Sequence, residues 1–170
     1  MMGKFAATST LSGLLGLIFS FVASPGSVAQ QQPYVAAESA VAAGEYLTNI
    51  GACNDCHTEG WEERGAAIPR EDRLMGSTFG WHGPWGTSYA KNLRLIAAAL
   101  TEAEWLDIFE RAIGLPPMPW VNLHAMSSRD AAAIYAFLKD LGPRGEPAPL
   151  PLPPGIRPTP PFFALVLPGS

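Results

Sequence analysis

Apolar residues recur at helical spacing in three separate stretches of the chain, and these set its frame. Ala40, Gly44 and Leu47 form one stripe with Ile50 at its end, which predicts a helix over 36–50. Thr101-Glu102-Ala103-Glu104 carries the capping-box pattern, in which the threonine and the second glutamate bond each other's free backbone N–H groups. Behind it Trp105, Ile108, Phe109 and Ala112 share one face, so a helix is expected over 102–113 and Gly114 ends it. Ile134, Phe137, Leu138 and Leu141 repeat the spacing in a helix expected over 128–141, stopped by Gly142-Pro143. A glycine inside a helix costs up to about 1 kcal/mol relative to alanine. Gly44 therefore either interrupts the first helix or lets another backbone approach closely.

Between these helices the pattern fails. From His57 to about Leu95 there is no helical period, while Pro69, Pro84 and glycines from Gly60 to Gly86 alternate with Trp61, Phe79, Trp81, Trp85 and Tyr89. So long an aperiodic stretch is uncommon in a compact domain unless something apolar lies under it. Residues 143–170 hold ten prolines in 28 positions, which excludes helix and central strand and predicts an extended tail. The tail ends in Phe162-Phe163-Ala164-Leu165-Val166-Leu167. Phe162, Phe163 and Leu165 are accordingly expected to bury themselves against the domain or a partner.

Composition adds a compartment. Lys4, an apolar run from Leu11 to Ala23 and Ser27-Val28-Ala29 make residues 1–29 read as a signal peptide, with a mature chain starting at Gln30. The run is short of the roughly 20 residues of an ordinary span, so no membrane span is expected in the mature chain. The formal net charge of −4 becomes −5 once Lys4 is removed, which argues against a nucleic-acid partner. The expected divisions are a signal peptide (1–29), a domain (30–142) and a Pro-rich tail (143–170).

The chemistry sits in Cys53-Asn54-Asp55-Cys56-His57, which holds the only two cysteines. On a helix, Cys53, Cys56 and His57 stand at i, i+3 and i+4, so two thiols and an imidazole leave one face. That arrangement suits haem attachment, with the thiols bonded to the porphyrin edge and the imidazole on the iron. A zinc site would lack ligands, since there is no second cysteine pair and His82 and His124 lie at no finger spacing. A dithiol redox site would want a strand before the motif and a parallel sheet around it, which the pattern does not offer. In an oxidising compartment two thiols are normally bridged; a haem that takes both leaves none to pair. For the other side of the iron Met118 is the best candidate, a soft thioether held by Pro117 and Pro119 between the two late helices. Met75, Met126 and His124 are the rivals, His124 the strongest of them.

Taken in order, a first helix, Cys-x-x-Cys-His, a long loop, a helix, a Met loop and a final helix resemble class I c-type cytochromes over residues 36–142. Gly44-Glu45-Tyr46-Leu47, Gly83-Pro84-Trp85-Gly86, Asn92-Leu93, Met118-Pro119-Trp120 and Ala133-Ile134-Tyr135-Ala136-Phe137-Leu138 look like the single-haem cytochromes related to haem subunits of bacterial periplasmic dehydrogenases. The resemblance implies a mainly α, class I cytochrome c-like fold around one covalent haem c, carried by Cys53 and Cys56, with His57 proximal and Met118 distal. It implies a close crossing of the first and last helices, with Gly44 opposite Tyr135 or Leu138. A proline carbonyl, that of Pro69, is expected to orient the imidazole, and Asn92 and Arg94 are candidates for the haem propionates. The Pro-rich tail is longer than such a domain needs. The implied function is that of a periplasmic electron carrier, not itself an enzyme, working between redox protein partners: a dehydrogenase donor or an oxidase-side acceptor. The alternative is a haem subunit permanently bound to a periplasmic dehydrogenase.

Overall fold

A computed structural model describes residues 34–166, besides Met1 and Gly3. The signal peptide expected at 1–29, the expected start at Gln30 and Leu167 at the end of the apolar run lie outside that range.

The first helix, α1 (Ala40–Ile50), starts later than the apolar stripe suggests, because Ser39 takes the cap position and its side chain accepts the N–H of Ala42. A short helix α2 (Cys53–His57) follows, then α3 (Trp61–Arg64). Next come two single 3₁₀ turns and a hairpin of β1 (Gly80–Gly83) and β2 (Gly86–Tyr89). The chain continues through α4 (Leu93–Ala99), α5 (Glu102–Arg111), α6 (Trp120–Ala125) and α7 (Ser128–Leu141), and ends in β3 (Phe162–Ala164). The capping box of Thr101 and Glu104 forms at α5, and Ser127 caps α7 by accepting the N–H of Asp130.

Helix α1 packs across α7, and α4 and α5 also lie on α7. Ala43 and Leu47 of α1 meet Ala133, Ile134, Phe137 and Leu138 of α7 in one buried core. Gly44 stands at the crossing: a Cβ there would lie 2.1 Å from the Ala133 carbonyl oxygen and 2.7 Å from the Phe137 Cβ. The close crossing is present. Its partners are Ala133 and Phe137 in place of Tyr135 or Leu138, one or two positions earlier on α7. Arg70 joins the same two helices from the surface, donating to Glu45 of α1 and Asp140 of α7.

The architecture departs from a mainly α expectation. Helices hold just under half of the described residues, and beside them lies a three-stranded sheet in the order β2-β1-β3, so the fold is a mixture of helix and sheet. The stretch read as an aperiodic loop contains the hairpin, and the tail supplies the third strand, parallel to β1 and paired Gly80 to Phe162 and His82 to Ala164. Proline-rich chain can do this only at a sheet edge, which is where β3 lies. Upstream, Leu152 and Thr87 exchange both backbone hydrogen bonds at 2.9 Å. Gly86, at φ +96°, is required there, since a Cβ would meet the Leu152 carbonyl oxygen at 2.1 Å. The tail is thus ordered on the domain as expected, but its apolar end is not fully buried. Phe162 is half-buried against His82, whereas Phe163 and Leu165 stay 50% and 42% exposed. No helix among the described residues is long and apolar enough to cross a membrane.

Candidate functional site

Helix α2 is held by polar groups that its five residues could not bury alone. Asn54, 1% exposed, donates its amide to Asn49 Oδ1 at 2.9 Å and accepts the Thr58 hydroxyl at 2.8 Å. Thr58 Oγ1 in turn accepts the backbone N–H of Leu74 at 2.8 Å. The relay ties α1, α2 and the loop beyond, and with every member satisfied it fixes the orientation of a helix too short to be stable by itself. Nothing in the sequence marks Asn54 except that it separates the two cysteines.

On that helix the structure brings Cys53, Cys56 and His57 together. Both thiols are free and half-buried. Burial pushes the Cys53 thiol up to about 11, with the neighbouring Asp55 carboxylate and Cys56 adding to the effect. Cys56 is also raised, first by burial and then by Asp55 and Glu62. Redox dithiols work by lowering a thiol pKa so that thiolate forms near neutrality. This pair is held as thiols, which disfavours the dithiol reading. Among the described residues no three His, Cys, Asp or Glu side chains gather in a group that could hold a metal ion.

His57 is buried and its Nδ1 lies 2.7 Å from the carbonyl oxygen of Lys91. A carbonyl only accepts, so Nδ1 carries the proton and Nε2 keeps its lone pair for a ligand. Burial lowers the pKa of His57, against the opposing pull of the Lys91 carbonyl, and so favours the neutral ring that can bind iron. The orienting carbonyl therefore belongs to Lys91. Pro69 is exposed and its carbonyl accepts from Asp72. The Lys91 segment reaches His57 because Gly76 leaves room. A Cβ on Gly76, at φ +84°, would sit 2.8 Å from both the Ala90 carbonyl oxygen and the Asn92 nitrogen.

Met118 lies half-buried in the loop between α5 and α6. Its loop is fastened to the same strand that leads to Lys91: the Ser88 hydroxyl donates to the carbonyl of Pro116. Residues 88–91 therefore touch the Met118 loop at one end and His57 at the other. The rivals are placed otherwise. His124 is exposed and its Nε2 donates to the Ala112 carbonyl at 2.9 Å. Met126 packs on the helical core, and the Met75 sulfur lies against Gly145 of the tail.

Asn92 and Arg94 are engaged elsewhere. Asn92 caps α4 and donates to the carbonyls of Arg144 and Glu146, while buried Arg94 donates to the carbonyls of Glu71, Leu141 and Gly142. Arg94 thereby closes the C-terminal end of α7, a task with no periodic signature. Two buried indole N–H groups, of Trp85 and Trp120, have no acceptor among the described residues. A buried donor left unpaired costs about 1–3 kcal/mol, so each of these groups calls for an acceptor from outside the described residues, an ordered water or a bound group. Trp120 is two positions past Met118, and exposed Ile113, Leu115 and Val121 flank the same loop with apolar surface. Two free thiols and a bare Nε2 on one short helix fit the thioether and iron requirements of a haem.

No protein family, curated protein or solved structure matches the chain.

Proposed function

We propose that the chain is an exported single-haem c-type cytochrome that carries one electron at a time between redox partners. The observation that carries this reading is the α2 helix, which presents two free thiols and an imidazole whose Nδ1–H is bonded to Lys91, leaving Nε2 to bind. Cys53 and Cys56 would hold haem c covalently, His57 would be its proximal ligand and Met118 its distal one, while Trp85 and Trp120 have the N–H groups to meet its carboxylates. Haem supplies a one-electron couple, and a thioether ligand raises its potential relative to imidazole.

The protein's own contribution is to hold that couple still. The Asn49–Asn54–Thr58–Leu74 relay fixes the attachment helix, the Lys91 carbonyl fixes the imidazole plane, and Ser88 fixes the Met118 loop. A scaffold that moves little between oxidation states keeps the reorganisation small, which is what a carrier needs. Export agrees with the signal-like residues 1–29 and with haem attachment outside the cytoplasm. The test is a redox titration of protein made in a host that attaches haem c. A single reversible one-electron wave with a low-spin spectrum is expected. A high-spin iron that binds and turns over peroxide or oxygen instead would place the protein among haem enzymes.

A further inference from the structure

The feature left without a purpose is the tail, and its last strand forms one wall of a cleft. The cleft has a volume of about 300 Å³ and lies between α3 and the sheet, with Cys56 on its lining. Phe79, Trp81 and Phe163 make a continuous aromatic wall, with neighbouring rings 5.6 and 5.7 Å apart. Trp61 faces into the same space, and the tail contributes Pro161 beside Phe163. Around these rings stand Asp55, Glu59, Glu62 and Glu63, and no lysine or arginine lines the cleft. None of the four carboxylates forms an ion pair among the described residues.

Aromatic faces carry negative charge density and attract cations, and low-dielectric walls strengthen the pull of nearby carboxylates. An anion would be repelled here, and a neutral apolar group would strip water from the carboxylates without compensation. The fold already uses the pairing once beside the cleft, outside its lining: the Arg73 guanidinium sits 5.3 Å from the Trp61 ring centre. From this cleft we infer a docking surface for a redox partner that presents a basic patch and inserts a lysine or arginine side chain between α3 and the Phe79–Trp81–Phe163 wall. Because Cys56 lines the cleft, a partner seated there lies against the edge at which the haem would be attached. The proposal rests on the cytochrome reading for the partner's redox role, but not for the binding of the cation. It also assigns the tail: β3 is laid along β1 to place Phe163 opposite the acids of α3.

The experiment uses the full chain, isotope-labelled, titrated with a tetra-arginine peptide while the indole N–H resonances are followed. Saturable shifts are expected at Trp61 and Trp81, with Trp105 unmoved, and none are expected with a tetra-glutamate peptide. Raised salt, Phe163→Ala and the double substitution Glu62→Gln with Glu63→Gln should each weaken binding about tenfold, the scale of one cation–aromatic or ion-pair contact. In parallel, the reduced protein is oxidised by tris(phenanthroline)cobalt(III), a cationic aromatic oxidant, and the peptide should slow it. No shift at Trp61 and Trp81, or binding indifferent to Phe163→Ala, would overturn the cleft as a cation site. Peptide bound in the cleft without slowing oxidation would overturn its role in electron transfer. A preparation without haem would refute the cytochrome reading while leaving the indole titration readable.

Discussion

At the scale of single residues, the positions that decide the site are small or polar and have no helical period. Gly76 is the clearest case. Replacing it with alanine puts a Cβ within 2.8 Å of two backbone atoms of the segment that carries Lys91. Overpacking of this kind costs about 1–3 kcal/mol. Gly76→Ala should lower the melting temperature and, by displacing the Lys91 carbonyl, shift the reduction potential; melting unchanged and potential unchanged would mean that the carbonyl does not orient His57. Asn54→Ala removes the centre of the buried relay and strands the buried Thr58 hydroxyl, at about 1–3 kcal/mol, while the exposed Asn49 side chain turns to water. Its expected signature is a lower yield of haem-bearing protein together with reduced thermal stability, read by absorbance and calorimetry. For the distal ligand, Met118→Ala should abolish the weak long-wavelength sulfur-to-iron band of the ferric protein, lower the potential and admit cyanide or carbon monoxide. Met75→Ala, Met126→Ala and His124→Ala should leave the ligation intact. If His124→Ala opens the iron and Met118→Ala does not, ligation is bis-histidine and the inference of a raised potential fails.

At the scale of elements, the α1–α7 crossing and the strapped tail are the two assemblies to disturb. Gly44→Ala drives a methyl into the Ala133 carbonyl and separates the helices, at about 1–3 kcal/mol or more, or several degrees of melting temperature for a domain of this size. Gly86→Ala should strain the start of β2 and release the tail, since its Cβ would collide with Leu152, and limited proteolysis should then cut within 143–166 where the parent chain resists. Helices whose faces must match a core were legible, which is why α5 and α7 fall within a turn of their expected bounds and α1 differs only by its Ser39 cap. The helices α4 and α6 were not, being too short for an apolar period to declare itself. The sheet was hidden for a different reason. Strand β1 is Gly-Trp-His-Gly, with no alternation to read, and its partner β3 lies some 80 positions on, in a segment whose prolines argue against strand except at an edge. In the site, Cys53, Cys56 and His57 could be read from spacing, whereas Lys91 offers a backbone carbonyl, which every residue has, and so leaves no trace in sequence.

For the whole molecule, the parts converge on one function only if the two thiols are consumed by a haem. On that reading the Lys91 contact would orient the iron's imidazole and the aromatic cleft would flank the edge of attachment at Cys56. The most direct measurement is the intact mass, under denaturing conditions, of protein exported from a host that matures c-type cytochromes. The mature chain beginning at Gln30 plus the mass of one haem is expected, with the colour remaining in the protein after acid acetone. The variant with both Cys53→Ala and Cys56→Ala should have the mass of the polypeptide alone. A parent chain at polypeptide mass, two thiols still titratable and any haem extracted by the acid would contradict the account at its centre.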